Sequence, residues 1–411
     1  MDGGEEGVCD IIVAGAGVVG VATAYALARR GLSVVLVDRN AGPAQGASFA
    51  NGAQLSYAYT DALGSPSLVA RLPSLLLGAD PLFKVTANFD PALIAWGLRF
   101  LAASTEAGFR TNTLATLKLA LESQAALHAL LQRHPIAFGH AAPGKMHMYF
   151  DAQSLAAAEQ MVRLKADHGA VQQVLSPGEA RALEPALAGA RGLYGVVHSP
   201  GDEVGDPRRF CEGLLDHLKR TYGVRTVFGL DIAKARLSGD RAVVTGRCGR
   251  RVSGRTLVVA TGVGTGPLLA SLGVRAPILP MRGYSFTAPR GPAPPRVSVT
   301  DAKRKIVFCA LSGQIRVAGG AELGAHRAEA PQRRMAALTA AARASLPDAA
   351  AYDQAGAGWG GLRPMTPTST PIIAKARERL VLNIGHGALG WTLAMGSAER
   401  AAALVVGDPP N

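Results

Sequence analysis

Cysteine is scarce in this sequence: Cys9, Cys211, Cys248 and Cys309 are the only four, and no two stand at C-x-x-C spacing. That excludes a disulfide-framed small fold and a thiolate zinc site, and no other metal-ligand cluster is visible. Long apolar runs are missing too; none reaches the ~18 residues of a membrane-spanning helix. The first ten residues are acidic and glycine-rich, unlike a secretory signal or a basic transit peptide, so a cytoplasmic chain is expected. Aromatic residues make up only 5% of the chain. Few of them interleave with the basic clusters at Arg208-Arg209, Arg247 to Arg255, Lys303 to Lys305 and Arg333-Arg334. With no recognition module either, nucleic acid is not an expected partner. Acidic residues number 30 against 43 basic ones, a formal charge of +13. Two readings of that excess stay open: a solvated basic surface, or attraction to the anionic face of an inner membrane. There is no internal repeat, no low-complexity tract and no obvious acid–base motif.

What is present begins with Asp10 to Arg39. Ile11 to Ala14 is a short apolar run, as in a buried parallel strand. Gly15, Gly17 and Gly20 follow at G-x-G-x-x-G spacing, with Ala16, Val18 and Val19 between them. The first glycine permits a tight turn, the second a close approach to a pyrophosphate, the third close packing of helix on strand. The helix N-terminus offers N–H groups and partial positive charge to phosphates. A second apolar strand ends in Asp38-Arg39, where a carboxylate can accept ribose hydroxyls. Strand, glycines, helix, strand and acid together predict a dinucleotide-binding unit.

A polar, small-residue loop follows, from Gln45 through Ser48, Asn51, Gly52 and Gln54 to Leu55 and Ser56. It suits close approach to a flat ring or a phosphate. Residues 62–134 read as helical, with Asp90-Pro91 as a cap and proline at N1. Lys145 to Phe150 alternates as a strand. Ser176-Pro177-Gly178-Glu179 is a capping box, and Asp206-Pro207 opens a helix that runs to Gly223. Strands follow over 224–228, 232–237 and 242–245. Thr256 to Ala260 is another apolar strand, running straight into Thr261-Gly262 and returning the chain to the nucleotide-binding part. Several strands are expected over 277–320 and a helix over 331–346. Near the end, Leu380 to Ile384 reads as a strand, followed by Gly385-His386-Gly387-Ala388-Leu389-Gly390-Trp391-Thr392 and an alanine-rich helix. A glycine turn before a helix N-terminus, far from the first motif, would serve the other end of a long cofactor and stabilise negative charge on a reduced flavin ring.

These pieces, with Pro280-Met-Arg-Gly283-Tyr284-Ser285 and Gly361-Leu-Arg363-Pro-Met-Thr-Pro367, resemble the FAD-dependent amine oxidoreductase superfamily of D-amino acid oxidase, glycine oxidase and sarcosine oxidase. Within it the resemblance is to the bacterial D-amino acid dehydrogenase small-subunit branch. The resemblance implies an α/β architecture: a Rossmann-like FAD-binding domain interleaved with an α+β substrate domain built on an antiparallel sheet. The expected FAD-binding segments are 1–60, 201–275 and 346–411; the substrate segments are 61–200 and 276–345. It further implies FAD held by Gly15, Gly17 and Gly20 with Ala16, Val18 and Val19, by Asp38 and Arg39, and by Ser48, Asn51, Gly52, Gln54 and Leu55. Ile232 would meet the adenine side from its backbone. Thr261, Gly262, Gly385, Gly387, Ala388, Leu389, Gly390, Trp391 and Thr392 would complete the set. Arg363 would bind the substrate carboxylate, with a structural ion pair as its competing reading. Tyr284 is a second pocket candidate, with a packed strand tyrosine as the alternative. The implied reaction is oxidative deamination of a D-amino acid to a 2-oxo acid and ammonia by hydride transfer to flavin N5. Electrons would pass to a quinone or another acceptor. Rival readings are oxidation of a secondary amine such as sarcosine or proline, and a non-catalytic FAD-binding redox subunit.

Overall fold

The computed structural model describes residues 8–76, 82–86 and 90–407 of the chain. Two large sheets organise it. In the first, parallel strands Leu380–Ile384, Arg251–Val259, Cys9–Ala14, Val34–Val37 and Arg225–Val227 lie side by side in that order. Strands Ile232–Ser238 and Arg241–Gly246 extend it as an antiparallel hairpin off Arg251–Val259. The central parallel strands are apolar on both faces because both are covered, as parallel sheets require.

One covering layer is helical. Val18–Ala28 and Gly390–Val406 meet through alanines, and Glu106–Arg133 packs outside them through Leu119, Ala120, Leu127 and Leu130. Pro207–Tyr222 joins the same core. Its start is fixed by Asp206, whose Oδ1 accepts from the N–H groups of Arg208 and Arg209, and its end by Gly223 in the left-handed conformation (φ 63°). The capping box at Ser176 is present, with both reciprocal bonds.

The second sheet has the order Trp359–Met365, Leu279–Pro289, Gln314–Leu323, Ile306–Leu311, Ser298–Asp301, Lys145–Tyr149, Gly195–Ser199, Gln173–Leu175. Directly paired residues share a face. One row across it is therefore His147, Thr300, Val307, Ala318, Ser285 and Trp359. The opposite face carries Met146, Val299, Phe308, Val317 and Phe286, which form a second apolar core with Leu338 and Ala342 of helix Gln332–Ser345.

Two pieces lie across the segment boundaries expected from sequence. Helix Glu106–Arg133, expected with the substrate part, packs in the core of the first sheet; strand Trp359–Met365, expected with the FAD part, is an edge of the second. Helicity is local and legible, but the side on which a stripe of leucines packs is decided by distant partners. Residues 62–134 are helical over Pro66–Leu76, Pro91–Ala103 and Glu106–Arg133, with a short strand Phe83–Val85 paired to Ala321–Leu323 between the first two.

Candidate active site

Between the two sheets runs a cavity of about 730 Å³, within the range of cofactor and substrate sites. At one end the chain leaves strand Cys9–Ala14 at Gly15, where φ is +103°. A Cβ there would stand 2.4 Å from the Ala260 carbonyl oxygen. Only glycine lets the two parallel strand ends meet so closely. Gly17, Val18 and Val19 line the cavity at the helix start, and Ser48 Oγ accepts from Val18 N at 3.1 Å. Asp38 lines it as well. Its Oδ2 accepts from Ala16 N at 2.7 Å and its Oδ1 from Asn40 N at 2.8 Å, which braces the glycine turn and leaves lone pairs for further donors. Arg39, Asn51, Gly52, Gln54, Thr261 and Gly262 continue the wall.

The other end is built by Gly385, Gly387, Ala388, Leu389, Gly390, Trp391 and Thr392, in front of helix Gly390–Val406. Gly385 and Gly387 have φ of +79° and +55°. Two cavity-lining groups here are buried and lack a hydrogen-bond partner: Asn383 Oδ1 and His386 Nε2. Burial pulls His386 down to about 3, so the ring is neutral near pH 7. The unfolded chain then binds a proton that the folded chain refuses below about pH 6.5. Stability held above that pH is lost as pH falls toward 3. Chemical denaturation at pH 6.5 and 5.5 should show a drop of up to ~1.4 kcal/mol per pH unit from this ring, absent in His386→Gln. Equal slopes in both proteins would refute it.

Arg363 is the third feature. Its Nη1 donates to the Gly320 carbonyl at 3.1 Å. No carboxylate among the described residues lies within ion-pairing distance, so the competing ion-pair reading has no partner there. Burial alone lowers the guanidinium to about 10, still a cation at pH 7. The plane rests on Gly283, where a Cβ would come within 2.1 Å of Nη2. Gly283→Ala should therefore push the guanidinium aside without unfolding the strand. Steady-state kinetics should show KM for an amino-acid substrate up roughly tenfold, with flavin content unchanged; an unchanged KM would refute the packing argument.

Tyr284 borders the cavity, but its ring goes elsewhere. It pairs with Gly360 and Gly319, on the face opposite Arg363, and sits in the second apolar core with Phe286. Burial and the adjacent Glu322 push the phenol up to about 12. Tyr284 is a packed strand residue, and its ring is not a partner of Arg363.

Four other expected residues do not reach the cavity wall. Ala16 is buried behind the glycine turn. Gly20 faces the Gly15 carbonyl, to which a Cβ would come within 1.7 Å, so it serves helix packing. Leu55 turns into the first core. Ile232 starts the outer hairpin; the segment beside Asp38 is Val227–Leu230, where Asp38 N donates to the Val227 carbonyl and Leu230 N to that of Asp38.

Sequence reasoning missed Lys145. It lines the cavity and is buried, and Nζ donates to Ser56 Oγ at 2.7 Å with the Tyr59 ring 5.0 Å away. Burial lowers the amine to about 8 in spite of Asp202 nearby. His147 stacks on Tyr59 at 3.8 Å, and neither of its ring nitrogens is hydrogen-bonded; Thr300 Oγ1 is likewise unpartnered. The signal was there: Lys145-Met-His-Met-Tyr alternates, and in a strand paired on both sides the polar face must look into a cavity.

The donor set fits an elongated anionic dinucleotide: glycine-walled turns at both ends, two helix N-termini, and unpartnered buried polar atoms at the far end. Fold and cavity define a two-sheet dinucleotide-binding oxidoreductase. The chain belongs to the FAD dependent oxidoreductase family, whose model matches residues 10–404. It is 39% identical to D-amino acid dehydrogenase 2 of Ralstonia nicotianae, covering 97% of each chain. It is 38% identical to D-amino acid dehydrogenase of Paramagnetospirillum magneticum, covering 97% of this chain and 95% of the other. Among solved structures it resembles glycine oxidase from Geobacillus kaustophilus, with TM-score 0.76 and 21% identity over 98% of this chain and 95% of that one. It also resembles FAD-bound L-alpha-glycerophosphate oxidase from Mycoplasma pneumoniae, with TM-score 0.75 and 17% identity over 99% and 97%.

Proposed function

We propose that this chain is an FAD-dependent D-amino acid dehydrogenase. It oxidises a D-amino acid to the imino acid, which hydrolyses to a 2-oxo acid and ammonia, and delivers the electrons to a quinone or another non-oxygen acceptor. The observation that carries this reading is the cavity-facing guanidinium of Arg363, without a carboxylate of its own. The full-length relatives named D-amino acid dehydrogenase support it.

FAD would be held by Gly15, Gly17, Val18, Val19, Asp38 and Arg39 at its ADP half. Ser48, Asn51, Gly52, Gln54, Thr261 and Gly262 would follow along its middle, and Gly385 and Gly387 to Thr392 at its ring. When bound it supplies a two-electron acceptor for the hydride leaving the substrate α-carbon. The protein does the rest. Arg363 takes the substrate carboxylate in a bidentate grip while its bond to the Gly320 carbonyl fixes the guanidinium plane, and thereby the direction of the α C–H bond. Asp38 is the only carboxylate among the described lining residues, and it is tied to the glycine turn. No carboxylate is then placed to take a proton from the amine, and in this reading the amine binds as the free base after losing its proton to water.

The test is dye reduction under anaerobic conditions with D-alanine, L-alanine, D-proline and sarcosine. D-alanine should bleach the bound flavin fastest. Faster bleaching by sarcosine or D-proline would move the reading to secondary amines, and none by any amine would sink it.

A further inference from the structure

Where strands Ser298–Asp301 and Lys145–Tyr149 run side by side, the second sheet carries polar groups without partners. Thr300 pairs directly with His147. Thr300 lines the cavity and is 7% exposed, and its Oγ1 has no hydrogen-bond partner. Neither ring nitrogen of His147 has one. The Tyr59 ring, also in the cavity wall, gathers the set: His147 stacks on it at 3.8 Å and Lys145 Nζ lies 5.0 Å from its centre.

Two buried lysines approach this ring, and they differ. Lys165 Nζ donates to Asp61 Oδ1 and to the Ala58 carbonyl, each at 2.9 Å. Lys145 Nζ has Ser56 Oγ as its one acceptor among the described residues, and Asp202 acts on it only from beyond ion-pairing distance. An ammonium carries three donors, so Lys145 keeps two in reserve. Lys145 is the one that lines the cavity. Asp38, the only carboxylate among the described lining residues, is tied to the glycine turn. A buried cation in this state is stabilised by an anion brought in from outside.

The spacing sets the size of that anion. From Gly320, where Arg363 is tied, to Thr300 is two strands across the sheet and two residues along it, by the pairing of Gly319 with Ile306 and of Val307 with Thr300. At ~4.8 Å per strand and ~3.3 Å per residue that is about 12 Å. An extended amino acid with a second carboxyl two methylenes beyond its α-carbon has its carboxyl carbons about 5 Å apart. With a hydrogen bond of ~3 Å at each end it spans about 12 Å. D-alanine would leave the far end unfilled.

We propose that the enzyme is built for a dicarboxylic D-amino acid of the length of D-glutamate, whose side-chain carboxylate is received by Lys145 and Thr300. This rests on the D-amino acid dehydrogenase reading and narrows its substrate class. Arg363 holds the α-carboxylate and Lys145 the other, so the substrate is fixed at both ends over the cofactor. Thr300 donates its free hydroxyl to the same carboxylate. An uncharged side chain of equal length leaves the buried ammonium unpaired, and sites of this kind discriminate strongly against such analogues.

The experiment is dye-coupled steady-state kinetics on the purified holoenzyme with D-alanine, D-glutamate, D-glutamine and D-norvaline. Wild-type kcat/KM for D-glutamate should exceed that for D-glutamine and for D-norvaline at least tenfold. In Lys145→Met the ratio of D-glutamate to D-glutamine should fall at least tenfold, and in Thr300→Val it should fall by a smaller factor. A purely structural lysine would lower all substrates in proportion and leave the ratio alone, which overturns the proposal. So does a wild-type ratio near one. Loss of bound flavin from Lys145→Met would give the lysine to the cofactor and likewise overturn it. Should that variant not fold, an unchanged ratio in Thr300→Val refutes the site. Turnover of D-alanine without preference for D-glutamate sinks this proposal alone, whereas no turnover of any amino acid sinks the functional reading and this proposal with it.

Discussion

Arg363→Ala should lower kcat/KM for D-alanine by roughly a hundredfold while the protein stays folded and yellow. A hydrogen bond to a charged group contributes ~1.5–3 kcal/mol, and each ~1.4 kcal/mol is a factor of ten. Two such bonds to one carboxylate, partly offset by water entering the vacated space, come to about 3 kcal/mol. Arg363→Lys should recover only part, because an ammonium cannot grip both oxygens and hold the Gly320 carbonyl together. Flavin content should hardly change, since the glycine turn at Gly15 and the Asp38 brace lie at the opposite end of the cavity. A loss under tenfold, measured at low substrate concentration, would remove the clamp from the mechanism.

Gly20→Ala should be the most damaging single methyl group. Gly20 has no place in the cavity wall, so a direct loss of cofactor contact is not at issue. The added Cβ would sit 1.7 Å from the Gly15 carbonyl oxygen and 3.6 Å from the Ala260 side chain. Neither backbone can retreat: Gly15 N donates to the Val37 carbonyl at 2.7 Å and Ala260 N to that of Ala14 at 2.8 Å. Helix Val18–Ala28 must then lift off the sheet, which takes its N-terminus away from the phosphate position. Overpacking of this kind costs about 1–3 kcal/mol and sometimes more. Purified protein should therefore melt several degrees lower and retain little flavin. A yellow protein with wild-type melting would show that the helix has slack the structure does not display.

The contrast between these two residues bears on what the sequence disclosed. The Gly15-Gly17-Gly20 spacing was readable because a strand-to-helix turn uses only near neighbours: Gly15 makes the tight turn and Gly20 lets the helix pack on the strand. Arg363 was readable through its motif. Tyr284, which pairs with Gly360 three positions before Arg363 and so lies on the other face, was not: one residue of register decides between cavity and core, and register is set by partners over thirty residues away. Leu55 turns into the first core and Ile232 opens the outer hairpin, so neither lies on the cavity wall. Lys145 shows the converse. Its alternation was visible, but nothing local told that the polar side of that strand looks onto a cavity instead of water. Helix Glu106–Arg133 was legible as a helix, and its placement beside Gly390–Val406 was not, because alanine-rich helices accept many neighbours.

The large sheet keeps two sets of residues apart. Met146, Val299, Phe308 and Val317 face the core, while Thr300, Val307 and Ala318 face the cavity, in alternation along the same strands. A change of volume at the second set alters the room in the cavity and leaves the packing beneath untouched. Such a sheet can exchange one amino-acid side-chain preference for another in single steps, each reversible, without passing through an unstable protein. Selection on appetite and selection on folding act here on opposite sides of one layer of backbone.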